Sequence, residues 1–182
     1  MIGAVFAAVA FLEGTINQLF QDAHDNDLGY LKGLDPRAIQ AMAVMWGHGV
    51  PRTARYPVLK KFEIALTLAG KPQLPVGSPA VEAAAALMTL RNALIHYEPE
   101  WIKADSIRAL GDKPHKLETR LRGRFPENPL MSKGNPFYPD KALGHGCAEW
   151  AVNTALAYAD AAHAALGLKP IYDTMRKDLA TR

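Results

Sequence analysis

SPAVEAAAALMTLRNALIHYEP, residues 78–99, is the least ambiguous helical stretch in the chain. Ser78-Pro79 supplies a capping residue followed by the favoured first-turn proline. Val81 to Tyr97 holds no glycine or proline, and Pro99 disfavours the α conformation at Glu98, the expected boundary. Working toward the N-terminus, Val58 to Ala69 reads as a helix stopped by Gly70 with Pro72 beyond. Asp35-Pro36 opens another that runs to Trp46 and ends at Gly47, Gly49 and Pro51. The first helix spans Ile2 to Ala23, with Val5, Val9, Leu12, Ile16 and Leu19 at helical spacing, then an acidic exit at Asp22, Asp25 and Asp27. Toward the C-terminus, residues 101–138 are loop-rich, with prolines at 114, 126, 129 and 136 and a short helix at Lys116 to Leu121. Asp140 then reads as the cap of a long helix to Leu166, its buried stripe being Trp150, Thr154, Ala157, Tyr158 and Ala161. A short tail helix follows Pro170. Strand-like alternation is missing, so the expectation is an all-α bundle of about five main helices with a basic, loop-rich insertion.

Composition fits that picture. A length of 182 residues predicts a single domain, 1–182. With 49% hydrophobic and 21% charged residues, the chain is not of the disordered class. Alanine, the best helix former, is about one residue in six. Cys147 stands alone, which excludes an intramolecular disulfide framework and multi-cysteine zinc sites. Met1 to Leu12 carries no charge but lacks the basic start and cleavage site of a signal peptide. Glu13 and Asn17 follow that stretch at once, and no run of the roughly twenty apolar residues of a membrane span occurs anywhere, so a cytoplasmic protein is expected. The net charge of +3 permits a nucleic-acid partner without requiring one.

The familiar phosphate-loop, zinc-helix and nucleophile-elbow motifs do not occur. Cys147 reads as a buried structural thiol, and His24-Asp25-Asn26-Asp27 as a solvated helix exit without calcium-loop spacing. Trp46 and Trp150 read as core, while Glu149, Asn153, Asp160 and His163 form a polar stripe expected to face water. The segment that carries chemistry is Arg91-Asn92-Ala93-Leu94-Ile95-His96-Tyr97-Glu98. At 100° per residue Asn92 and His96 fall nearly on one line, with Arg91 about 140° from His96, so all three can border one concave surface. An imidazole moves protons near neutral pH and a guanidinium clamps phosphate, the two needs of metal-independent phosphodiester cleavage. The alternative is a helix terminus in which Arg91 pairs with Glu98 and His96 is a capping group. Glu13 and Asn17, four residues apart, share one face of the first helix. They form either a surface pair or a buried support in which Glu13 reaches Arg91 or His96 across the bundle.

Arg91-Asn92-x-x-x-His96 resembles the signature of the HEPN superfamily (higher eukaryotes and prokaryotes nucleotide-binding domains), R-x4-6-H with a polar residue after the arginine. A second match, Arg108 to His115, encloses Gly111 and Pro114 and so cannot lie on a helix. Glu13 and Asn17, the Phe137-Tyr138-Pro139-Asp140 entry to the last helix and Trp150 are further points of similarity. The resemblance implies a helical bundle that dimerises, bringing two Arg-His pairs into one composite site that cleaves single-stranded RNA without metal or cofactor. It gives Arg91, Asn92 and His96 catalytic roles, with Glu13, Asn17 and Tyr97 in support. Members paired with a nucleotidyltransferase often read R-x4-H-x-Y; here Tyr97 adjoins His96 and Glu98 takes the modified position. An antitoxin or nucleotidyltransferase partner, and a toxin or phage-defence setting, are also implied. The other outcome for the same fold is a non-catalytic nucleotide- or RNA-binding or dimerisation module. Lys103 to Lys133 carries eight basic residues against four acids, and Lys103, Arg108, Lys113, Lys116, Arg120, Arg122 and Arg124 are either a solvated loop or an RNA-tracking surface beside the Arg-His helix.

Overall fold

The computed structural model describes residues 1–52, 56–96 and 116–178. Among these residues six α-helices follow in order: α1 Ile2–Asp25, α2 Pro36–Gly47, α3 Val58–Leu68, α4 Pro79–Ile95, α5 Lys116–Leu121 and α6 His145–Leu166. Tight helical turns lie at Leu31–Gly33 and Ile171–Asp178, and a kinked turn at Phe137–Lys141. No strand occurs among the described residues. The architecture is an all-helical bundle.

α1 is its hub, packing most extensively on α2 and α6 and also against α3 and α4. The periodicity explains this: Val5, Ala8, Val9, Leu12, Ile16, Leu19, Phe20 and Ala23 recur every three or four residues and are all buried. By length and composition α1 is apolar enough to cross a membrane, with a mean hydropathy of 1.4 over 18 residues. It holds no run of twenty consecutive apolar residues, and its apolar face is buried inside the bundle.

α2 begins as predicted. Asp35 is its N-cap, accepting a hydrogen bond from the Arg37 amide at 2.7 Å, with Pro36 in the first turn. Asp35→Ala is expected to cost about 1 kcal/mol of stability, read from the urea midpoint; an unchanged midpoint would remove the cap from the account. α5 also has the predicted bounds.

α6 departs from its reading in two ways. It starts at His145, because Asp140 sits in the kinked turn and accepts from Asn135 Nδ2 at 2.8 Å instead of capping. Gly144 and Gly146 flank that start where residues 126–128 cross it. A Cβ on Gly146 would lie 2.7 Å from the Pro126 carbonyl oxygen, and one on Gly144 2.9 Å from Asn128 Cβ. The buried face is also rotated: Cys147, Ala151, Thr154, Ala155, Tyr158, Ala159, Ala162 and Leu166. Thr154 and Tyr158 were on the expected stripe, but Ala157 is exposed and Trp150 and Ala161 are half-buried. Alanine occurs on every side of this helix and fixes no phase.

α4 ends at Ile95, earlier than the pre-proline rule predicts. His96 has left the helical conformation, at φ −106° and ψ 56°. Ile95 and His96 are both exposed, so no packing extends the last turn.

Candidate functional site

α1, α3 and α4 meet around a pocket of about 450 Å³ whose walls include Glu13, Arg52, Tyr56, Met88, Arg91 and Asn92. Arg91 stands one turn after buried Leu87 on α4, which leaves its stem half-buried and its guanidinium at the pocket. Its Nη1 donates to Asn92 Oδ1 at 3.0 Å, so Asn92 steadies it. Arg52, from the loop before α3, donates from Nη2 to the Trp46 carbonyl at 3.1 Å and lies 4.9 Å from the Trp46 ring centroid. Among the described residues no carboxylate forms an ion pair with Arg52 or Arg91.

Glu13, the acid in these walls, is engaged from the other side. Its Oε1 accepts from Lys61 Nζ and, at 3.4 Å, from Asn17 Nδ2, while Asn17 Oδ1 accepts from Lys61 at 3.3 Å. The Lys61 side chain is 1% exposed, and an ammonium so far from water requires a counter-charge. The expectation that Glu13 reaches Arg91 or His96 is corrected accordingly: its bonded partner is Lys61, and it shares only the pocket with Arg91. Lys61 was legible, since it falls between Val58, Phe62 and Ala65 on the buried face of α3. Lys60 beside it does what surface lysines do, pairing in the open with Glu63 at 2.6 Å.

Of the three predicted catalytic residues, Arg91 and Asn92 line the pocket, and His96 is not among its walls. His96 is exposed just past α4, its amide bonded to the Asn92 carbonyl at 2.9 Å. His96 is the residue at which the chain leaves α4, and the pocket walls on that helix end at Asn92.

Tyr97, Lys103, Arg108 and Lys113 lie outside the described residues, as does Glu98. Lys116, Arg120, Arg122 and Arg124 are exposed on α5 and the following turn. Arg120 donates to Thr89 on α4 at 3.4 Å, and Thr89 lies about 200° around that helix from Arg91. This part of the basic segment therefore adjoins α4 on a different side from the pocket. Arg122 is occupied, pairing with Glu118 and with Glu127 at 3.0 Å and covering the Phe137 ring. Arg124 Nε donates to the Arg120 carbonyl.

Elsewhere, Cys147 is fully buried and its thiol is pushed up to about 11 by burial, as befits an inert core group. His24 and Asp25 pair on an exposed helix exit at 2.9 Å. Among the described residues no three His, Cys, Asp or Glu side chains are grouped to hold a metal.

His163 corrects the expected solvated stripe: it is 2% exposed, because the Ile171–Asp178 turn folds back over it. Tyr172 packs edge-on to its ring and donates to Asp160 at 2.8 Å, while Arg176 joins Asp160 to Asp173. Nδ1 of His163 meets the Ala159 carbonyl at 2.8 Å, and Nε2 is buried with no partner among the described residues. Burial holds this imidazole below its ordinary range, although the Ala159 carbonyl, Asp160 and Asp173 pull upward. The folded chain thus binds this proton less readily than the unfolded chain. Its contribution to stability is complete above the unfolded value of 6.5 and is lost as pH falls below it. Urea midpoints should fall between about pH 7.5 and 5.5 by less in His163→Leu than in the wild type; equal falls would contradict this.

Compared with family models, curated proteins and solved structures, the chain matches none.

Proposed function

We propose that this chain is a HEPN-like, metal-independent endoribonuclease acting on single-stranded RNA as a homodimer in the cytoplasm. The observation that carries the reading is Arg91: a half-buried residue lining a pocket, without a carboxylate partner among the described residues, braced by Asn92 and joined by Arg52. Two such cations on one concavity favour a phosphate-bearing ligand. His96, one turn beyond Asn92 and open to solvent, is accessible to a substrate strand crossing the pocket mouth and to a second protomer.

In the proposed reaction one His96 takes the proton of a ribose 2′-OH, whose oxygen attacks the adjacent phosphorus. The P–O5′ bond breaks, and the second protomer's His96 protonates the departing 5′-oxygen. Arg91 stabilises the charge on the phosphorane oxygens, and Asn92 holds Arg91 in place. The products are a 2′,3′-cyclic phosphate and a 5′-hydroxyl. An antitoxin or nucleotidyltransferase partner and a defence role belong to the same proposal.

A second reading, a non-catalytic nucleotide- or RNA-binding module, is favoured by the position of His96 outside the pocket walls. Incubating the purified chain with single-stranded RNA, with and without EDTA, separates the two. Cleavage to cyclic-phosphate ends in both conditions supports the nuclease; binding with the RNA left intact supports the module.

A further inference from the structure

Glu13 has no part in the proposed proton transfers, yet it lines the same pocket as Arg91. Lys61 and Asn17 both bond its Oε1, which fixes the carboxylate and leaves Oε2 without a partner among the described residues. A carboxylate engaged with an ammonium in this way is an acceptor held in place. Around it stand guanidinium donors at Arg52 and Arg91, and Tyr56 and Met88 offer flat or pliable apolar surface. The volume of about 450 Å³ lies within the range of small-ligand pockets. Phosphate donors, an aromatic face and one fixed acceptor are the complement of a single nucleotide whose base edge carries N–H groups.

The four RNA bases differ in what they present to such an acceptor. Guanine sets two N–H donors side by side, N1–H and N2–H, which can share the one free oxygen, Oε2, with O6 next to them for a guanidinium. Adenine and cytosine offer one amino group beside a ring-nitrogen acceptor, and uracil flanks its N3–H with two carbonyls. Each of those places a lone pair near the carboxylate. We infer that the pocket is a guanosine subsite and that Glu13, positioned by Lys61 and Asn17, is its specificity-determining residue. The inference rests on the endoribonuclease reading and names the base next to the scissile phosphate.

The test uses the four nucleoside 3′-monophosphates and inosine 3′-monophosphate, titrated calorimetrically into the full chain. Guanosine 3′-monophosphate is expected to bind about tenfold more tightly than the other three, as one hydrogen bond to a charged acceptor warrants. The inosine compound, which lacks the N2 amino group, should lose most of that advantage. Glu13→Gln leaves Lys61 without its counter-charge, so Glu13→Gln/Lys61→Met, which removes both charges, is the second variant. It should bind all four with affinities within about twofold of one another. Equal binding of the four by the wild type, binding of none, or an inosine affinity equal to that of guanosine overturns the inference. RNA cleavage without base preference overturns it while sparing the nuclease reading. Guanosine selectivity with RNA left intact does the reverse.

Discussion

His96→Ala protein should cut single-stranded RNA at least about a hundredfold more slowly than wild type, the scale at which a positioned general acid–base contributes. Arg91→Ala should lose about 10²–10³, as expected for a charge donor to a developing oxyanion. Because both act on one transition state, the double variant should be little slower than the worse single one. His96 is exposed, and among the described residues its bond is the backbone one to Asn92, so its replacement should leave stability within about 0.5 kcal/mol of wild type. That combination separates a chemical role from a structural one. Chelator should change none of these rates. His96→Ala protein that cleaves as fast as wild type would sink the proposal.

The second large effect concerns stability. Glu13→Ala is expected to destabilise the chain by about 3–5 kcal/mol, because it leaves the Lys61 ammonium buried without its counter-charge. Against a total of about 5–15 kcal/mol for an ordinary domain, this is enough to populate unfolded chains. Lys61→Met should cost far less or stabilise, since the aliphatic stem is already in the core and the half-exposed Glu13 can turn to water. Adding Lys61→Met to Glu13→Ala should restore most of the loss, a coupling visible in a double-mutant cycle of denaturation midpoints. A Glu13→Ala variant as stable as wild type would show that the buried pair does not govern folding.

The parts of this fold that the sequence made legible are those with one dominant local cause. Asp35-Pro36 starts α2 through a single hydrogen bond, and the 3–4 spacing of large side chains on α1 admits only one buried face. The phase of α6 was not legible, because alanine is nearly indifferent to burial and His163 is covered only by a turn that arrives after the helix has ended. At the site, Arg91 and Asn92 line the pocket, whereas His96, which the same projection placed beside them, is not among its walls. His96 lies outside the pocket walls, at the point where α4 stops, an end earlier than the pre-proline rule places it. The partner of Glu13 lies 48 positions away, and only the apolar stripe through Val58 and Phe62 marked Lys61 as buried.

The arrangement of α1 as hub gives the pocket two mechanically different walls. The Glu13 wall is built on the helix that packs against α2, α3, α4 and α6, and it can yield only if the whole bundle opens. The Arg91 wall is the last turn of a helix whose final side chains face water, so it can fray and re-form at small cost. A ligand entering here meets a fixed template on one side and a compliant jaw on the other. Selection would then reside in the rigid half, and adjustment to differing strands in the arginine half.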